Sequence, residues 1–280
     1  MIKLSSLYLI LSILCVLSCD FKRQTEVIES GNDPNFNIEA NSDIGLKSFN
    51  RKVVVFGIDI YAVPKVDDRK LLHAANVMAQ YLDNDEDGIP DDELLMQALI
   101  DHKAFLVMWK DEDDLDIAPP QNRLGQDLGN DETNPDFVAN GRKGRFDASL
   151  EEVLHLINGG HSIAYPEAFG QEAGSTLADA MDIARGGQFF DIPNKYPESA
   201  WYSYDDETCE YADCMTMEYL YWSLTSILGA QENRLEEIEH EWKLNTRDKV
   251  KGTDKAVYSL LTNPIYKMPT ILPDGKYRQE

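Results

Sequence analysis

The sequence S-L-E-E-V-L-H-L-I-N-G-G-H, from Ser149 to His161, sets the expected fold of the chain. Its apolar residues recur at the spacing of one helix face, which predicts a short, partly buried helix. The asparagine and two glycines at 158–160 are expected to end that helix and turn the chain back. Glu151 and His155 lie four residues apart, so both project from the same side of the helix. Two side chains placed in this way can bind one metal ion.

His161 follows the expected turn, where a third ligand can lie. The segment from 151 to 161 resembles the zinc signature of metzincin metallopeptidases, H-E-x-x-H-x-x-G-x-x-H. Glu152, His155 and His161 match this pattern, whereas Glu151 replaces the first histidine and Asn158 the glycine. A carboxylate is an accepted zinc ligand. The resemblance implies zinc held by Glu151, His155 and His161, with Glu152 as the general base acting on a zinc-bound water.

A structural interpretation of the same helix stays open. Glu152 lies three residues after Ser149 and completes a capping box, which would account for it without any catalytic role. A histidine beside a glutamate can equally be a partly buried pair. An oxygen-activating di-iron site is disfavoured, because it needs two E-x-x-H helices and only Glu152 to His155 supplies one.

A second short segment, T-M-E-Y from Thr216 to Tyr219, resembles the Met-turn of the metzincins. The resemblance implies that Met217 lies beneath the metal and that Tyr219 approaches it. The Tyr219 hydroxyl would then stabilise an oxyanion in the transition state. A plain core helix fits these four residues equally well.

The acidic stretch D-N-D-E-D-G-I-P-D-D-E, from Asp83 to Glu93, resembles the calcium loops of EF-hands and thrombospondin type 3 repeats. Oxygen ligands are expected from alternate positions, namely Asp83, Asp85 and Asp87. Leu94 stands where an EF-hand has a bidentate glutamate, so Asp91 or Glu93 is expected to complete the calcium site. The alternative is an acidic, solvated turn between two helices.

The N-terminal residues indicate export. Residues 1–18 have the length and apolar character of a signal peptide, and V-L-S-C ending at Cys19 resembles a bacterial lipobox. The resemblance implies lipidation of Cys19, so the chain is expected outside the cytoplasm and anchored to a membrane. An ordinary secretory signal is the alternative. Residues 19–50 are polar and are expected to form a tether, and residues 51–280 a single domain.

The net charge of the chain indicates which partners to expect, and its cysteine content indicates a disulfide. The chain has 50 acidic and 26 basic residues and a formal net charge of -24, which argues against nucleic acid and favours cations or basic ligands. Cys209 and Cys214 are the only cysteines expected in the mature body. Because an exported chain meets an oxidising compartment, they are expected to form a disulfide.

The distribution of apolar residues predicts an α+β fold. Strands are expected at 52–63 and 104–109, a helix at 68–82, and an irregular segment at 118–145. Further helices are expected at 174–185, 220–228, 233–243 and 254–261. The metzincin resemblance implies a zincin-like mixed sheet beside an active-site helix, with a helical C-terminal part.

Two functions are compatible with these patterns. The first is an extracytoplasmic zinc-dependent hydrolase, foremost a peptidase acting on a protein or peptide, with a structural calcium site. The second is a non-catalytic, calcium-binding surface lipoprotein that binds a glycan or a protein partner. They differ in whether the chain binds stoichiometric zinc.

Overall fold

A five-stranded mixed sheet and a set of helices form the protein, which a computed structural model describes over residues 36–115 and 122–278. The predicted signal peptide, Cys19 and the first part of the tether lie outside these residues. The strands are β1 (Glu39–Ala40), β2 (Arg51–Val55), β3 (Ile58–Ala62), β4 (Phe105–Trp109) and β5 (Gly125–Gly129). Neighbours in the sheet follow chain order, antiparallel from β1 to β3 and parallel from β3 to β5. The predicted α+β class is confirmed.

Nine α-helices occur among the described residues. They are α1 (Asp68–Leu82), α2 (Glu93–Asp101), α3 (Ser149–Ala164), α4 (Pro166–Phe169), α5 (Thr176–Arg185), α6 (Thr216–Leu228), α7 (Leu235–Ile238), α8 (Arg247–Thr253) and α9 (Lys255–Leu261). The helix predicted at 68–82 is confirmed at both ends. No helix in the described part of the chain is both long and apolar enough to span a membrane.

The single strand predicted at 52–63 is wrong, because the chain reverses in its middle. Phe56 and Gly57 both have positive φ, at 48° and 89°, and connect β2 to β3 as a tight hairpin. Positive φ at both central residues is typical of the two-residue turns that match the twist of a hairpin. The turn was not predicted because β-branched residues, which favour strands, lie on both sides of it.

Two further expectations about irregular segments are wrong. The body of the protein begins before residue 51, since Leu46 and Phe49 are fully buried and β1 pairs with β2. The segment predicted as irregular contains β5. Glycine begins this strand because the Phe105 ring of β4 lies against it: a Cβ atom at Gly125 would be 2.7 Å from Phe105 Cζ.

Helix α3 lies at the centre of the fold, in contact with α1, α2, α6 and β5. It continues to Ala164, so the predicted end at 158–160 is wrong. The glycines serve close packing instead of a turn. A Cβ atom at Gly160 would lie 2.6 Å from Leu99 Cδ2, and one at Gly159 would lie 2.7 Å from Leu124 Cδ1.

This packing predicts opposite responses to one substitution at two helical glycines. Gly160→Val should lower the free energy of unfolding by about 1 to 3 kcal/mol, because the added carbons overfill the contact between α3 and α2. Gly252→Val, at an exposed position of α8 with open space around it, should be neutral or slightly stabilising. Urea unfolding followed by circular dichroism measures both. Equal effects at the two sites would contradict the close approach described for α3.

Candidate metal centre

The acidic face of α3 lies opposite a single charged residue on α6. Glu218 is the only charged residue of α6, and it faces the α3 side chains Glu151 and His155. One ligand atom from each of these three residues lies within 4.8 Å of the other two. Burial of the apolar faces of both helices therefore holds two carboxylates and one imidazole around a common point.

The spacing inside this cluster fits a metal ion better than direct hydrogen bonds. His155 Nε2 lies 3.6 Å from Glu218 Oε1, and this buried nitrogen has no hydrogen-bond partner. A zinc ion with ligands at about 2.0 to 2.2 Å in tetrahedral geometry separates its ligand atoms by about 3.3 to 3.6 Å. An orphaned imidazole nitrogen at that distance from a carboxylate is the arrangement expected of a metal-binding pair.

A second contact orients the His155 ring. Its Nδ1 lies 3.4 Å from Glu152 Oε2, and the Gln126 side-chain amide of β5 donates a hydrogen bond of 2.6 Å to the same oxygen. A carboxylate beside Nδ1 favours the tautomer in which Nε2 carries no proton, which is the form that binds metals. Glu152 is 22% exposed, so its carboxylate is not sealed inside the protein.

Burial dominates the electrostatics of the cluster. It raises the pKa of Glu151 to about 8, with a further contribution from Glu218, and it also raises the pKa of Glu218. Burial opposes protonation of His155, but Glu218, Glu152 and Glu151 together raise its pKa to about 9. Without a cation, Glu151 is therefore protonated at neutral pH. A divalent cation would favour the ionised forms of Glu151 and Glu218 and would displace the His155 proton.

Tyr221 lies behind the cluster. Its hydroxyl is close enough to Glu151 to lower the pKa of that carboxyl, and it accepts a hydrogen bond of 3.2 Å from the Gln231 amide. The Tyr221 ring also meets the His155 ring edge-on, with centroids 5.7 Å apart. Such supporting contacts restrict the rotamers of ligand side chains.

His161, the predicted third ligand, is not brought to this cluster. Because α3 continues through it, His161 lies about 9 Å beyond His155 along the helix axis and about a third of a turn around it. Its ring packs against Phe169 at a centroid distance of 5.3 Å. Burial lowers the pKa of His161 to about 4, so the ring is neutral at physiological pH.

Tyr219 also lies away from the cluster. It is fully buried between Tyr202 and Trp242, and its hydroxyl donates a hydrogen bond of 2.6 Å to Asp254. Its neighbour Glu218 takes the position facing α3. The structure therefore gives Tyr219 a core environment and no contact with Glu151, His155 or Glu218.

The acidic loop between α1 and α2 forms a second group of possible metal ligands. Carboxylate oxygens of Asp83, Asp85 and Asp91 lie within 4.8 Å of one another. Asp83 is fully buried and accepts hydrogen bonds from the Gly88 amide at 2.8 Å and the Tyr277 hydroxyl at 2.5 Å. The two other predicted ligands are outside this group: Asp87 accepts from the Ile89 amide, and Glu93 begins α2.

The predicted disulfide between Cys209 and Cys214 is present. It closes the segment that leads directly into α6, four residues before Glu218. The Tyr204 hydroxyl contacts Cys209 Sγ at 3.2 Å. The disulfide thereby ties the start of the helix that carries Glu218 to the preceding loop.

Comparisons with protein-family models, with curated proteins and with solved structures found no match to this chain. The case for a function therefore depends on the residues themselves.

Sequence reasoning missed Glu218 as a partner of Glu151 and His155. The available signal was that Glu218 is the only charged residue of the thirteen in α6, where a buried charge demands a partner. Gln126 and Tyr221 carried no comparable signal, because amide and phenol side chains are common on strands and in cores.

The different positions of Glu218 and His161 predict different effects on zinc binding. Glu218→Gln should weaken zinc binding at least tenfold, because it removes a charged ligand atom from the cluster. His161→Phe should leave the affinity unchanged, since its ring lies elsewhere on α3. Competition with a chromophoric chelator measures both. Loss of zinc in His161→Phe with retention in Glu218→Gln would restore the ligand set predicted from the sequence.

Burial of His161 predicts an acid-sensitive contribution to stability. Its pKa is about 4 in the folded chain against an ordinary value of 6.5, so the unfolded chain binds the proton more tightly. The contribution is complete above pH 6.5 and is lost as the pH falls towards 4. Between pH 7 and 5, the wild type should lose about 2 kcal/mol more unfolding free energy than His161→Phe. Urea titrations at both pH values test this, and parallel losses would contradict it.

Proposed function

We propose that the protein is an extracytoplasmic zinc-dependent hydrolase and that its substrates are peptides. The observation that carries this proposal is the convergence of Glu151, His155 and Glu218 on one point. Two carboxylates and an imidazole form a donor set that zinc accepts, and three protein ligands leave a position for a water or a substrate. The zincin-like character of the fold, with a mixed sheet beside the helix that carries the ligands, belongs to the same proposal.

The ligand residues have separate tasks. Glu151 and Glu218 supply negative charge from two different helices, so that the metal position depends on the packing of α3 against α6. His155 would release its proton and bind the metal through Nε2, while Glu152 fixes the ring through Nδ1. When bound, the zinc ion supplies a Lewis acid that activates water and polarises a carbonyl group.

Glu152 is the proposed general base. Gln126 holds its Oε2 oxygen, and Oε1 has no hydrogen-bond partner among the described residues. Oε1 can therefore take the proton of the attacking water and later deliver it to the leaving amine. Gln126 keeps the carboxylate beside the cluster and prevents it from rotating towards solvent. Tyr219 has no part in this scheme, because its hydroxyl is engaged by Asp254.

Calcium in the acidic loop is the second part of the proposal. Asp83, Asp85 and Asp91 would bind it through oxygen atoms, which is the donor type that calcium prefers. Its role is structural, because Asp83 is buried and is bonded to Tyr277 near the far end of the described chain. Lipidation at Cys19 and a location outside the cytoplasm complete the proposal.

The test of this function combines metal analysis with a peptide-cleavage assay on the purified protein. We expect about one zinc and one calcium per chain, and cleavage of members of a fluorogenic peptide library. Glu152→Gln should retain zinc but lose at least about 10² in turnover, because an amide cannot accept the proton. Glu172→Gln, at an exposed position, is the matched control and should be fully active.

Two outcomes would overturn the proposal in different ways. Full activity of Glu152→Gln would remove the assigned base and leave Glu152 as a residue that only orients His155. Calcium without zinc would favour the non-catalytic surface lipoprotein, in which the acidic loop is the only metal site.

A further inference from the structure

One amide side chain of α3 is buried with neither of its polar atoms bonded. Asn158 is 2% exposed, and its amide oxygen and amide nitrogen both lack a hydrogen-bond partner within the described part of the chain. Every other buried side chain of that part with an unbonded polar atom has only one such atom. Burial of an unbonded amide costs free energy, and native proteins contain few such groups. An exception of this kind is expected where a side chain serves a bound ion or substrate.

The position of Asn158 on α3 directs this amide towards the proposed metal centre. Asn158 follows Glu151 by seven residues and His155 by three. Because 3.6 residues make one turn, it lies about 20° around the helix from Glu151 and about 60° from His155. It is also about 4.5 Å beyond His155 along the helix axis. Side chains of a helix lean towards its N-terminus, so the Asn158 amide leans back towards the level of His155.

A second unbonded atom lies on the same face of α3. His155 Nε2 has no hydrogen-bond partner among the described residues, and it lies 3.6 Å from Glu218 Oε1. The imidazole nitrogen and the Asn158 amide oxygen can each offer a lone pair, from residues one helical turn apart. A metal ion satisfies both, since imidazole nitrogens and amide oxygens are metal ligands in proteins.

We propose that the amide oxygen of Asn158 is a further ligand of the metal ion held by Glu151, His155 and Glu218. This inference rests on the metal centre of the proposed function and adds one residue to it. Catalytic zinc can expand from four to five ligands, so a fourth protein ligand still leaves a position for a water or a substrate. The amide nitrogen of Asn158 can donate to the molecule in that position. The amide carries no charge, so it adds nothing to the negative charge of the two glutamates.

The competing explanation is that Asn158 is a buried amide without any ligand. Asn158→Leu separates the two explanations, because leucine has a similar size and no polar atoms. Without metal, the substitution removes an unbonded amide and should raise the urea concentration at the midpoint of unfolding. With metal, it removes a ligand and should weaken binding. Only the second effect depends on a metal contact.

The experiment uses the purified protein, with zinc affinity measured by competition with a chromophoric chelator and urea unfolding measured in EDTA. Asn158→Leu should bind zinc at least tenfold more weakly than the wild type, and its midpoint in EDTA should be higher. Asn158→Asp keeps a ligand oxygen and should bind zinc at least as tightly as the wild type. Asn76→Leu removes a buried amide of α1 that donates to the Leu72 carbonyl, and as the matched control it should change zinc affinity less than twofold.

The outcomes distinguish this inference from the function on which it rests. Zinc affinity of Asn158→Leu within twofold of the wild type would overturn the role of Asn158 and leave the metal centre intact. A lower urea midpoint of Asn158→Leu in EDTA would show that the folded chain already bonds the amide, and would overturn that role as well. Zinc binding that depends on Asn158, in a protein that cleaves no peptide, would support the fourth ligand and overturn the hydrolase. Absence of zinc binding by the wild type would overturn both.

Discussion

Burial of Glu151 and Glu218 beside a single histidine is the constraint on which the centre of this protein depends. An isolated ion transferred into a protein interior costs several kcal/mol, and here Glu151, Glu152 and Glu218 share a single imidazole. The apolar faces of α3 and α6 bring these groups together as a consequence of packing. Protonation of Glu151, whose pKa burial raises to about 8, lowers that cost, and a bound cation would lower it as well. Gln126 holds the Glu152 carboxylate beside His155.

The acidic loop and the proposed metal centre are joined by direct contacts between α1 and α3. The Tyr81 hydroxyl, at the end of α1 beside the loop, donates to the Leu150 carbonyl, immediately before Glu151. At the other end of the interface, His73 contacts Asp147 at 2.6 Å, and Asp147 accepts from Ser149 at the start of α3. The position of α3 therefore depends on the helix that leads into the acidic loop. Calcium in that loop would stabilise the position of α3 without touching it.

The sequence was informative wherever a residue's role depends on its near neighbours. The α+β class, helix α1, the pairing of Glu151 with His155 and the disulfide all follow from spacing over a few residues or from the scarcity of cysteine. The predictions were wrong where a contact between residues far apart in the sequence determines the local structure. Two glycines that look like a helix stop are instead required by Leu95, Leu99 and Leu124, which come from α2 and the approach to β5. Because α3 continues, His161 lies away from the cluster. Glu218, which is 63 residues after His155, occupies the position that the metzincin resemblance had given to His161.

The contact between Tyr277 and Asp83 has a consequence for the order in which the protein assembles. Tyr277 also packs against Phe36, with ring centroids 5.7 Å apart, so the first and last parts of the described chain meet at the acidic loop. Asn84 and Gln80 bind the backbone at 271 and 274–275 in the same region. A chain emerging from its N-terminus has made both glutamate-bearing helices long before residue 277 arrives to complete the loop. Closure of the acidic loop by Tyr277 therefore follows synthesis of both helices, and the nascent chain must keep Asp83 solvated until residue 277 has been made.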